Sequence, residues 1–150
     1  MRNVSRKEKK FLVDMASAKQ LEGLLSQVVP GDLHNGSHGY PVRSLYFDTL
    51  HDRDFAEKLF GTDPRRKVRL RVYDPTADFA LLELKQKQGE NQRKRSLPLM
   101  RAEARRLIEG DFDGLLDRPE PFAAEIHALM SINGYRPKAI VEYDRTAFIA

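Results

Sequence analysis

Lys67, Arg69 and Arg71 stand at every second position of the stretch KVRLRVY, with Val68, Leu70 and Val72 between them. Alternate side chains of a strand leave opposite faces. This spacing therefore puts three cations on one face and three apolar residues on the other. A row of like charges costs energy unless an anion or interleaved carboxylates neutralise it, and KVRLRVY contains no acid. The pattern recurs along the chain. FALLELKQKQ, 79–88, sets Glu83, Lys85 and Lys87 on one face and Ala80, Leu82 and Leu84 on the other. RKEKK aligns Arg6, Glu8 and Lys10, and AIVEYDR aligns Val141, Tyr143 and Arg145 against Glu142 and Asp144. Arg93, Lys94 and Arg95 are consecutive, so at least one must point each way.

Such rows suit the recognition of a polyanion. Arginine offers phosphate a planar fork and lysine a point charge. Both count for more in a partly closed site of low dielectric. Glutamates among the cations would either hold a hard divalent ion, Mg2+ or Mn2+, or orient the guanidinium groups. Two architectures fit: a concave sheet reading nucleic-acid phosphates, or a closed barrel whose polar interior holds a phosphate chain. RNA-binding sheets expose stacking aromatics. The charged faces here carry Tyr73, Phe79 and Tyr143, with Phe79 at a strand start, which argues against RNA.

The elements that must position these rows are legible from periodicity and turn chemistry. Strands are expected over 5–14, 42–49, 66–74, 79–88, 92–99 and 136–150. The short connections DPTA and QGEN make the central three an antiparallel meander. Helices are expected over 17–28, 52–61, 100–110 and 119–134. The first has Ser17 and Gln20 as a capping box and Leu21, Leu24, Leu25 and Val28 as its apolar stripe. Residues 30–41, rich in Gly, Pro, Asn and Asp, read as a loop. Asp48 reads as a cap for the turn that follows it.

Composition narrows the function classes. The chain has 150 residues and a formal net charge of +4, enough length for one domain over 1–150. Without cysteine there is neither a disulfide scaffold nor a thiolate metal site. His34, His38, His51 and His127 share no metal-ligand spacing, and there is no P-loop, GxGxxG or nucleophile elbow. No apolar run approaches the roughly 20 residues of a membrane span. MRNVSRKEKK is not followed by a signal-peptide core. A cytoplasmic location is the expectation. The last strand stops inside its own apolar pattern, so a fragment of a longer protein is expected; a strand that simply ends the domain is the alternative.

RKEKKFLVD, YPVRSLYFDT, DFAEKLFG, RRKVRLRVY, LLELKQK, QRKRS and VEYDRTAF follow one another in an order that resembles the VTC domain, the polyphosphate polymerase module of the CYTH-like, triphosphate tunnel group. The resemblance runs from about residue 5 to residue 148. It implies an α+β fold, an antiparallel β-barrel forming a tunnel and flanked by helices. It also implies transfer of the γ-phosphoryl group of ATP to polyphosphate with Mn2+ or Mg2+. The partners are ATP and polyphosphate, no nucleic acid, and possible membrane-bound proteins. Position by position, Lys10, Arg69, Arg71, Lys85 and Arg145 match the catalytic cations, and Lys58 and Tyr143 fall at substrate-binding places. The next basic place is Arg93 by motif and Lys94 by strand period. Glu8 and Glu83 are the candidate metal acids, with Glu8 alternatively an ion-pair partner of Arg6 or Lys10. The family continues with strands carrying a further basic residue and its main metal glutamate, which 1–150 lacks. By this reading six of roughly eight strands are present and the fragment itself is expected to lack activity. The absence of an SPX domain points to a bacterial-type member. The alternatives are a tunnel hydrolase of triphosphate or nucleoside triphosphate, and a non-catalytic polyphosphate-binding module.

Overall fold

The computed structural model describes residues 2–6, as backbone, and 9–149. In chain order the elements are β1 (Arg2–Arg6), α1 (Met15–Val28), β2 (Tyr40–Asp48), α2 (Arg53–Leu59), β3 (Arg65–Val72), β4 (Phe79–Gln88), β5 (Asn91–Met100), α3 (Arg101–Ile108), α4 (Pro121–Ile132) and β6 (Arg136–Arg145). A 3-10 turn at Asp113–Asp117 joins α3 to α4. The strands form a single antiparallel sheet in the order β1-β5-β4-β3-β2-β6. Among the described residues β1 and β6 are its two edges and the sheet is not closed. The central β3-β4-β5 meander has the antiparallel pairing expected of its short connections.

Period-2 alternation decides which side of the sheet carries the core. Val68, Leu70, Leu82, Leu84, Leu97 and Leu99 point to one face and are buried there against Leu107, Leu115, Phe122, Ile126 and Met130 of the α3–α4 layer. Each such side chain contributes about 1.5–3 kcal/mol by leaving water. The same alternation drives the intervening cations to the opposite face. Local signals fix the helices of this layer. The Met100 N–H donates to Glu103 Oε2 at 2.7 Å at the start of α3, and Pro121 occupies the first turn of α4, where its missing N–H costs nothing.

Two expectations about the N-terminal part change. The strand expected over 5–14 is β1 at 2–6, and residues 9–14 have no regular structure. The pairing of Arg2–Arg6 with 92–96 of β5 spends the strand early. No partner strand lies beside Phe11, Leu12 and Val13, which are exposed. The helix expected from 17 starts at Met15. Asp14, not Ser17, is its cap, its carboxylate accepting the Ser17 N–H at 2.7 Å. The apolar stripe of α1 faces outward; Leu24 is 63% exposed and no α1 residue is buried.

The loop after α1 runs back beside the segment after β6. Asp32 N–H donates to Ala147 O at 2.9 Å, and the Asn35 side chain brackets Ala147 through both its amide atoms. Gly39, at φ +84°, passes so close to β6 that a Cβ there would lie 2.4 Å from the Arg145 carbonyl oxygen. Only glycine fits that approach.

Candidate functional site

On the face away from the helices, antiparallel register arranges the polar side chains into rows that run across the strands. One row is Lys67 on β3, Lys85 on β4 and Lys94 on β5. The next, two residues along, is Tyr46 on β2, Arg69, Glu83 and Ser96. A third begins with Ser44 opposite Arg71.

The second row is knitted together around one carboxylate. Glu83 is fully buried. Its Oε2 accepts from Arg69 Nε at 2.6 Å and its Oε1 from Lys94 Nζ at 2.8 Å. Burial alone would push this carboxyl up, but the charges and hydrogen bonds of Arg69 and Lys94 outweigh it and hold the pKa below the ordinary range. Arg69 also donates to the Tyr46 hydroxyl at 3.1 Å and lies 5.8 Å from its ring centroid. Burial works against its charge, and Glu83 and Tyr46 more than restore it. Arg71, buried, donates to Ser44 Oγ at 3.0 Å and to the Tyr143 hydroxyl at 3.3 Å. Both arginines are thereby held at their Nε edges.

The lysine row is different. Burial and then the charges of Lys58, Lys10, Lys85 and Arg69 push the Lys67 ammonium down to about 8. A cavity of about 320 Å³ opens at this end, walled by Lys10, Lys58, Arg65, Arg66, Lys67, Lys85 and Lys87 together with Gln92, with no carboxylate among the described residues of its lining. Lys58 reaches it from α2. That helix is anchored by Asp48, whose carboxylate accepts the amides of Thr49, Asp54 and Phe55 at 2.7–2.9 Å. The cap expected of Asp48 is thus present.

The sheet brings Lys67, Arg69, Arg71, Lys85 and Lys94 onto one surface, with Lys10 and Lys58 at its end. Tyr143 joins through Arg71. Arg145 lies further along β6, opposite Tyr40 and beside the loop, where its charge helps to lower the Asp32 carboxyl after the stronger contacts of His34. Register resolves the choice between Arg93 and Lys94: Lys94 stands on the charged face with Lys85. Arg93 pairs with Gln86 on the helix side and acts electrostatically on Glu125 of α4. Arg95 shares that side and grips Glu125 with both terminal nitrogens. Glu142 faces away and binds Arg43, as its strand position requires. Glu8 lies outside the described residues.

Lys67 is a cation of this surface that the motif match leaves out. Its signal is in KVRLRVY itself, because it occupies the same alternate position as Arg69 and Arg71. Ser44 and Tyr46 give a weaker sign: they sit in a strand of β-formers, and only the pairing with β3 aims them at arginines.

A divalent ion does not fit the described residues. No three His, Asp or Glu side chains cluster, and each oxygen of Glu83 is occupied by a cation. Glu83 here orients Arg69 and Lys94.

Comparison with known proteins agrees with this geometry. The sequence profile of the VTC domain family matches residues 5–150. No curated protein matches the chain. A solved structure from Bacillus halodurans, provisionally described as an adenylate cyclase, superposes with a TM-score of 0.53 at 16% identity over 95% of this chain. The chain spans 63% of the length of that structure. At such identity the likeness concerns the fold, an α+β tunnel type here left open. No helix among the described residues is long and apolar enough to cross a membrane.

Proposed function

The chain belongs to the VTC domain family, and from that premise we propose that it works on polyphosphate, moving the γ-phosphoryl group of ATP onto the end of a growing chain. The observation that carries this reading is the row of Lys67, Lys85 and Lys94 beside a row that holds, among the described residues, a single buried acid. Arg69 and Lys94 already share that carboxylate, and a phosphate chain would bring this face further anionic oxygens.

In the proposed reaction a terminal oxygen of polyphosphate attacks the γ-phosphorus. The bond from that phosphorus to the β–γ bridging oxygen breaks, and ADP leaves with the electron pair. Phosphoryl transfer needs little covalent chemistry from the protein, so positioning and charge neutralisation do most of the work. Arg69 and Arg71 are the central grips. Each is fixed at Nε, by Glu83 and Ser44 respectively, and at one terminal nitrogen, by Tyr46 and Tyr143, so it is the other terminal nitrogen that turns toward phosphate. Lys10, Lys58, Lys67, Lys85 and Lys94 hold the negative charge at one end, and Arg145 extends the track at the other.

The test is to incubate the protein with ATP, a polyphosphate primer and Mn2+ and to separate ADP, free phosphate and chains. ADP formed in step with chain growth is expected. Arg71→Ala, verified as folded by its melting curve, should lower that rate about a hundredfold or more, the usual cost of losing one preorganised donor to a developing negative charge. ADP with free phosphate alone would make the protein a hydrolase. Polyphosphate binding without turnover would make it a binding module.

A further inference from the structure

Lys67 lies where two cavities meet. It lines the lysine-walled space across β3, β4 and β5 and a neighbouring cavity of about 540 Å³ that extends toward β2, β6 and α2. Lys85 stands opposite it on β4, and the leading charges that act on it, those of Lys58, Lys10, Lys85 and Arg69, are all positive. The other charged walls of the first cavity, Arg65, Arg66 and Lys87, are cations too. The second cavity does hold acids, but each has other partners. Asp48 accepts the amides of Thr49, Asp54 and Phe55, Asp52 pairs with Lys138 at 2.9 Å, and Asp54 accepts from the Tyr135 hydroxyl and pairs with Arg66. We propose that Lys67 is a modification site, whose amine takes the acyl group of a small acyl phosphate and so turns down phosphate binding on this face. The proposal rests on the phosphate reading given above, because it is the phosphate end of the reagent that the surrounding cations would hold.

The chemistry follows from the surroundings. An ammonium is no nucleophile, and a lysine becomes one when burial or a neighbouring cation makes it give up its proton. Lys67 meets both conditions. Burial first, and then its cationic neighbours, push it down to about 8, so near neutral pH a substantial share of molecules carries the free amine. The same cations attract an anionic reagent, and an acyl phosphate carries its reactive carbonyl carbon one bond from the phosphate oxygen. The Lys67 nitrogen attacks that carbon. The carbon–oxygen bond to phosphate breaks, phosphate leaves with the electron pair, and the surplus proton of the nitrogen goes to the phosphate. No further reactant is needed. The amide that forms is neutral, so the lysine row loses its member on β3 and its hold on phosphate weakens.

The folded protein is incubated with acetyl phosphate, and the acetylation of each lysine is followed by mass spectrometry of its peptides. At neutral pH Lys67 should react about tenfold or more faster than the exposed Lys19 of α1. Its rate should level off above a pH of about 8, while that of Lys19 keeps climbing. Tripolyphosphate should slow Lys67 and leave Lys19 unchanged, and a neutral acetyl ester should show a smaller preference for Lys67. The acetylated protein and Lys67→Gln should each bind tripolyphosphate about threefold or more weakly than the parent in calorimetry. If the parent binds tripolyphosphate and Lys67 reacts no faster than Lys19, the modification site is wrong and the phosphate reading stands. If the neutral ester prefers Lys67 as strongly as acetyl phosphate does, acyl phosphates are the wrong class of reagent. If the parent does not bind tripolyphosphate, the phosphate reading itself falls, and the regulation with it.

Discussion

Glu83 and Asp54 are both buried carboxylates, one on strand β4 and the other on helix α2, and their acidities move in opposite directions. Glu83 receives Arg69 and Lys94 at 2.6 and 2.8 Å and is held below the ordinary range despite burial. Asp54 accepts a short hydrogen bond from the Tyr135 hydroxyl, with Arg66 Nε further off at 3.4 Å. Burial raises its carboxyl, the help of Tyr135 and Arg66 is insufficient, and Asp48 and Glu57 add to the rise. Tyr135 is itself raised by burial and then by Asp54. The difference lies in the local count of charge. Around Asp54 one arginine is shared between an acid and a phenol, as in a structural joint between α2, β3 and the start of β6. Around Glu83, among the described residues, cations outnumber acids, as the proposed phosphate site requires.

Removing Glu83 is the harshest test of that contrast. Glu83→Gln leaves two cations without their acid in a buried place and should cost about 3–5 kcal/mol in urea denaturation. A polyanion added to the variant should restore part of this loss. A cost below 1 kcal/mol would mean the cations find other partners. Asp54→Asn keeps the shape and loses part of the hydrogen bonding, for about 1–2 kcal/mol.

The two acids should also give opposite pH slopes. Glu83 has a depressed folded pKa, so its contribution is full above the unfolded carboxylate range and is lost as pH falls through the folded value. Asp54 has a raised folded pKa, so its contribution is full below the unfolded value and is lost as pH rises through the folded one. Denaturation of parent and variants from pH 3 to 8 would show the two difference curves diverging. Parallel curves would refute the opposite shifts.

The smallest effect concerns Lys67. Its ammonium is disfavoured in the fold, so stability should rise as pH climbs from about 8 toward the ordinary lysine value. Lys67→Met should stabilise the protein at pH 7 by about 1 kcal/mol, less than the full shift because solvent screens a half-open group. It should also remove the part of tripolyphosphate affinity that fades between pH 7 and 9. An unaltered pH profile would place that titration elsewhere.

The charged rows were legible because strand alternation has a period of two and admits one assignment of faces. KVRLRVY and FALLELKQKQ each declare which side is wet. Arg93 to Arg95 do so less plainly: strand period put Lys94 on the charged face and motif matching put Arg93 there, and the pairing with Lys85 follows the period. The Asp54–Tyr135 contact joins residues 81 apart and leaves no local trace. The outward stripe of α1 was equally hidden, because an amphipathic pattern states that a helix has an apolar side and not that anything covers it.

Asp48 has a mechanical consequence. Its carboxylate is a fulcrum at one end of α2, and Lys58 rides near the other end. Four residues of helix rise separate Asp54, whose amide it holds, from Lys58, about 6 Å at 1.5 Å per residue. A slight tilt about that fulcrum becomes a displacement of the lysine on the scale of a hydrogen bond's tolerance. The position of one charge in the lysine-walled cavity is therefore geared to a buried aspartate at the end of β2.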